Sequence, residues 1–206
     1  HEAAIHWLNE MLPADTAFYL LKLEAYRIGD SLPAPLLTVV AGPSPESKEI
    51  GAQKKELAER NKLYLKFWEQ LLERAKGRTS LHAQVSPSKG YWLSTGAGIG
   101  GVEFIYVVLA HEARVELYID TGEAEKNKRI FDALFAHKEQ IEETFGAPLR
   151  WDRLDERRAS AVRYDLPDGG VRDQERWPEI QERLIETMIR FERALRPEIE
   201  RARTVL

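Results

Sequence analysis

Arg150, Arg153, Arg157, Arg158 and Arg163 crowd one short stretch, and guanidiniums that close together could hold the phosphates of a nucleic acid. Trp151 and Tyr164 stand among them as surfaces on which bases could stack. Asp152, Asp155, Glu156 and Asp165 are interleaved with the arginines, which favours a self-paired, solvated surface over a basic patch. Within that limit, Arg153, Arg157 and Arg158 are the best nucleic-acid-binding candidates, with Lys89 and Trp92 as weaker ones.

The other chemical patterns fail on context. Gly96-x-Gly98-x-x-Gly101 has the spacing of a dinucleotide fingerprint, but that motif needs a helix to leave it and hold a pyrophosphate. Here Val102, Phe104 and Tyr106 follow in a strand pattern, so a hairpin loop is the reading. The histidines His1, His6, His82, His111 and His137 never reach the i, i+4 spacing of a helical metal site, and all are read as surface residues. A metal-dependent nuclease of the PD-(D/E)XK kind needs an acid followed by acid-x-lysine on a strand. Glu46-Ser47-Lys48 matches in a Pro/Ser linker, and Lys22-x-Glu24 lies on a strand in the wrong order. There is no cysteine, and no serine has a nucleophile-elbow context. No catalytic residue, metal site or cofactor is assigned.

Three extended runs from Tyr91 to Asp120 organise the chain. Tyr91–Ser94, Val102–Ala110 and Arg114–Asp120 are rich in β-branched and aromatic residues, with short breaks between them. Short connections suit antiparallel neighbours, so these runs predict a meander. Before it, an amphipathic helix over 3–12 ends at Pro13, and strands over 17–28 and 36–40 flank a turn. A linker, Gly42 to Ser47, leads to a long helix over 48–75 with Leu57, Tyr64, Trp68, Leu71 and Ala75 on one stripe. After the meander, Thr121 to Glu125 reads as a capping-like start to a helix that closes at Gly146. A hairpin turns around Asp155–Arg158. A last helix starts near Trp177-Pro178, and Pro197 is expected to kink or end it. Trp68, Trp92 and Trp177 are read as core anchors.

The 206 residues suffice for one large or two small domains. A formal net charge of -4 gives no global pull onto nucleic acid or anionic lipid. No apolar run approaches the roughly 20 residues of a membrane span, and a cytoplasmic protein is the expectation. The opening His1-Glu2-Ala3 runs straight into a helical pattern, which suggests a fragment or processed product.

Ile5-His-Trp-Leu-Asn9, Leu23-Glu-Ala-Tyr-Arg-Ile-Gly-Asp-Ser31, Pro33-Ala-Pro35 and Val39-Val40 resemble the closing helix and hairpin of a bacterial restriction-endonuclease-like domain. From the long helix onward the chain is similar to domain-of-unknown-function family 4268. The similarity rests on Phe67-Trp68, Val115-Glu-Leu-Tyr-Ile119, the helix from Phe131 to Glu142, Leu149-Arg-Trp151, Arg157-Arg-Ala-Ser160, Trp177-Pro178, Phe191 and Pro197. The resemblance implies that any nuclease-like catalytic strands precede the Trp-Leu-Asn helix, and it carries no catalytic residue over to this chain. It implies a setting of bacterial defence or DNA processing.

The expected architecture is α+β: an endonuclease-like remnant over 1–45, a linker and long connecting helix over 46–80, and an uncharacterised domain over 81–206. The expected function is a non-catalytic accessory module of a nuclease-like protein, binding nucleic acid or a protein partner. The alternatives are a homodimerisation module, and a metal-dependent nuclease using Glu46 or Glu24.

Overall fold

The computed structural model describes residues 1–12, 16–43 and 45–205, with backbone alone over 45–52, at 54 and at 204–205. Pro13 lies outside the described residues, as do the side chains of the Glu46-Ser47-Lys48 match. The chain is α+β and divides into two compact units, residues 1–60 and 61–206.

In the first unit, α1 (Glu2–Met11) precedes an antiparallel hairpin of β1 (Leu20–Tyr26) and β2 (Ala34–Ala41). Asn9, buried on α1, fixes the entry to the hairpin: its carboxamide donates to the Phe18 carbonyl and accepts from the Phe18 amide, both at 2.8 Å. Register pairs Leu21 with Val39 and Leu23 with Leu37, which puts four large aliphatic side chains on one face of the ribbon. Each is more than half exposed.

The second unit starts inside α2 (Pro45–Ala75). Tyr64, Phe67, Trp68, Leu71 and Ala75 recur at three- and four-residue spacing and are buried as one stripe. Phe67 meets Trp68 and Trp177 edge-on, with ring centroids 5.2 and 5.3 Å apart. The meander forms as expected from β3 (Trp92–Gly96), β4 (Val102–Val108) and β5 (Ala113–Ile119). Beyond it come α3 (Ala124–Phe135), α4 (Lys138–Phe145), the hairpin strands β6 (Arg150–Asp152) and β7 (Ser160–Asp165), and α5 (Trp177–Val205). The sheet order is β3-β4-β5-β7-β6, antiparallel throughout.

Strand alternation splits this sheet into two unlike faces. Phe104, Tyr106 and Val108 of β4, Val115, Leu117 and Ile119 of β5, and Val162 of β7 face the helices in one core. The opposite parity places Trp92, Ile105, Val107, Glu116, Tyr118 and Arg163 on the other face, outside that core.

Three local expectations change. The helix after Asp120 is two helices, because the last turn of α3 tightens where the His137 amide reaches the Leu134 carbonyl; both pieces pack on α5. Its N-cap is Glu123 with no side-chain bond, and Thr121 is bound instead by Asn127. Pro197 does not end α5, which continues to Val205. Leu195, Ile199 and Ala202 stay buried on both sides of the proline, so apolar packing carries the helix past the missing N–H.

Gly170 sits against the β4–β5 turn. A Cβ there would fall 2.5 Å from the Ala110 carbonyl and the His111 nitrogen, while Val171 and Arg172 donate to Leu109 and Ala110. Both neighbours are backbone and cannot swing aside. Gly170→Ala is therefore expected to cost about 2–4 kcal/mol in urea unfolding; a loss under about 0.5 kcal/mol would show that this approach is loose.

Candidate functional site

The arginine loop between β6 and β7 is built from beneath by two residues of α3. Lys128 Nζ donates to the carbonyls of Arg153, Leu154 and Ala159 and to Ser160 Oγ, at 2.6 to 3.0 Å. Ser160 Oγ in turn donates to the Arg153 carbonyl. Leu154, with φ +56°, is the one non-glycine residue at positive φ among those described, a conformation that costs an L-residue about 1–2 kcal/mol. The lysine holds carbonyls on both sides of it, and desolvation pulls the Lys128 pKa down. Asn127, fully buried, accepts from the Thr121 amide and hydroxyl and donates to the Arg158 carbonyl, at 2.8, 2.7 and 3.1 Å.

The arginines on this loop are already engaged. Arg158 grips Asp120 with both Nε and Nη2, each at 2.7 Å, and holds that carboxyl below its usual range. Arg153 grips Asp132 at 2.8 and 3.0 Å and also bonds Asp155; hydrogen bonding from Arg153 keeps the Asp132 carboxyl low. Asp152 takes Arg150 and Arg163. Four of the five arginines thus pair with four carboxylates, Asp120, Asp132, Asp152 and Asp155, which cancels most of the positive charge of the loop. Arg157 alone of the five makes no ion pair among the described residues, and it is exposed.

Lys89 and Trp92 do not join this cluster. Trp92 starts β3, at one edge of the sheet, whereas β6 is the other edge. Four inter-strand spacings, about 19 Å, separate the edges. Trp92 is 46% exposed, so it is not a core anchor as Trp68 and Trp177 are. It borders instead a shallow hollow of about 360 Å³ on the sheet face opposite the helices, with Tyr91, Glu103, Ile105, Val107, Arg114 and Tyr118. Arg114 Nε donates to Glu116 at 3.0 Å there, while Glu103 has no ion pair among the described residues.

His82 departs furthest from expectation. It is buried rather than on the surface, tilted 39° against the Tyr106 ring with 4.6 Å between centroids. Its Nε2 lies 3.3 Å from the Phe104 carbonyl, so the neutral ring carries its proton on Nε2. Burial drives the pKa down to about 4, and the Phe104 and Leu93 carbonyls recover only part of the loss. Tyr106 is fully buried, and desolvation raises its pKa. Neither His82 Nδ1 nor the Tyr106 hydroxyl has a hydrogen-bond partner among the described residues. Among the same residues no three His, Cys, Asp or Glu side chains are grouped to hold a metal. No described helix is long and apolar enough to cross a membrane.

The family model described as Domain of unknown function (DUF4268) matches residues 63–199. The chain belongs to this family. No curated protein and no solved structure matches it. The matched span of the DUF4268 domain runs from the buried half of α2 through Ile199 in α5, and it contains the whole five-stranded sheet. Asn127, Lys128 and the pair His82–Tyr106 are the residues of this DUF4268 domain that sequence reasoning missed. Asn127 had a signal: with Ile130, Phe131 and Leu134 it falls on the buried stripe of α3, where a polar residue needs internal partners. His82 had none, since it sits in a polar connection without any period.

Proposed function

We propose that this chain is a non-catalytic accessory module whose sheet face opposite the helices docks a protein partner through Tyr91 and Trp92. In the setting that the sequence resemblance implies, the partner is part of a nuclease-like bacterial system for DNA processing or defence. The observation that carries this reading is the composition of that face. Tyr91 and Trp92 stand about half exposed there over buried Ile105 and Val107, on the side of the sheet away from the helix-covered core, and Arg114 and Arg163 are paired within the chain. Half-exposed aromatic side chains over a buried aliphatic floor suit a protein surface. A polyanion needs unpaired cations, and the β6–β7 loop supplies only Arg157.

A photo-crosslinking residue at position 92 or 118, introduced into the protein in its own cells, is expected to give a discrete protein adduct. The same probe at Arg129, exposed on α3, should give none. An adduct of twice the chain mass would identify the partner as a second copy. In parallel, short single- and double-stranded oligonucleotides are expected to give flat anisotropy titrations at low salt. A signal that falls steeply with salt and is lost in Arg157→Ala would replace this reading with nucleic-acid binding.

A further inference from the structure

A cavity of about 340 Å³ lies under the end of α2, where the chain turns from Ala75 through His82 towards Pro87 and meets Tyr106 of β4. Its size is at the lower end for a small-molecule site. Leu72, Ala75, Val85 and Pro87 make apolar walls, and the mouth opens past exposed Glu69 and Lys76. His82 and Tyr106 line it, and each brings a buried polar atom with no hydrogen-bond partner among the described residues, His82 Nδ1 and the Tyr106 hydroxyl. A buried polar atom without a partner costs roughly 1–3 kcal/mol, and a bound group that satisfies both recovers it.

We propose that this cavity binds a small uncharged aromatic molecule carrying a hydroxyl or ring N–H group. One hydroxyl can serve both orphans, donating to His82 Nδ1 and accepting from the Tyr106 hydroxyl. The ring lies against Leu72, Val85 and Pro87. Anions are disfavoured, because the carbonyl end of α2, Glu69 and Glu73 all present negative charge at the mouth, where Lys76 is already paired with Glu73 at 2.5 Å. Cations are disfavoured deeper in, where the neutral His82 and Tyr106 offer no countercharge.

The test uses the whole chain with phenol, toluene and benzoate, followed by NMR of the imidazole nitrogens and of aromatic ligand signals. Phenol is expected to bind with a dissociation constant on the order of millimolar or tighter and to shift His82 Nδ1 (a tenfold change in affinity corresponding to about 1.4 kcal/mol). Toluene should bind about tenfold more weakly, benzoate not detectably, and Tyr106→Phe should reduce phenol affinity roughly tenfold. Should His82→Phe fail to fold, Tyr106→Phe with the wild-type His82 shift decides the matter alone. Equal affinity for phenol and toluene, or no His82 shift at saturating phenol, would overturn the proposal and leave the cavity as hydrated space.

Discussion

Asn127→Leu is expected to lower the unfolding free energy of residues 61–206 by about 3–5 kcal/mol, a loss visible in urea denaturation followed by circular dichroism at neutral pH. The side chain has no exposed surface. Its removal strands the Thr121 amide and hydroxyl and the Arg158 carbonyl, all of which now bond it. Leucine keeps the volume and deletes every partner, so the cost is that of unsatisfied polar groups rather than of a cavity. Asn127→Asp is not expected to rescue: it loses the donor to Arg158 and sets a carboxylate beside Asp120. A loss below about 1 kcal/mol would mean that water reaches the network and replaces the amide.

Acid should destabilise the fold through His82. Its folded pKa is about 4, against 6.5 for the free side chain. Between those values the unfolded chain takes a proton that the folded chain refuses, so stability is full above pH 6.5 and drains as pH falls towards 4. At about 1.4 kcal/mol per unit the total is roughly 3 kcal/mol. Carboxylates add their own acid dependence, which makes the comparison with His82→Gln the informative one. The glutamine carboxamide can still donate to the Phe104 carbonyl but cannot titrate. Wild type is expected to lose about 3 kcal/mol more than His82→Gln over that window. Parallel curves would show that the ring is protonated in the folded state or reached by solvent.

Much of the architecture could be read from pattern. The β-branched and aromatic runs between Tyr91 and Asp120 mark the meander, and Ile180, Leu184, Met188, Phe191 and Leu195 mark the helix that packs on it. Gly96 to Gly101 is a hairpin loop, as its strand context predicts. Gly101, at φ +81°, is glycine because a Cβ would sit 2.4 Å from the Asp120 carbonyl, a packing reason with no phosphate in it. Local pattern could not tell which charges find each other. Arg153 reaches Asp132 and Arg158 reaches Asp120, partners 21 and 38 residues away in sequence. Composition suggested self-pairing, and only the fold could say with whom. Parity alone also left Trp92 ambiguous, because β3 has only five residues and apolar Leu93 beside it.

The position of β7 in the sheet has a bearing on the order of assembly. β3, β4 and β5 close by short turns, whereas β7 must find β5 across the whole segment from Ile119 to Ser160. Bringing those ends together costs roughly 1–2 kcal/mol more chain entropy than closing either hairpin. Until α3 and α4 have formed and brought β7 in, a nascent chain that has made the meander carries β5 as a bare edge. That edge displays the unpaired backbone of Val115, Leu117 and Ile119, the kind of strand to which another chain adds. The Asn127 and Lys128 contacts, which tie α3 to the β6–β7 loop, thus seal the edge as well as shaping the loop.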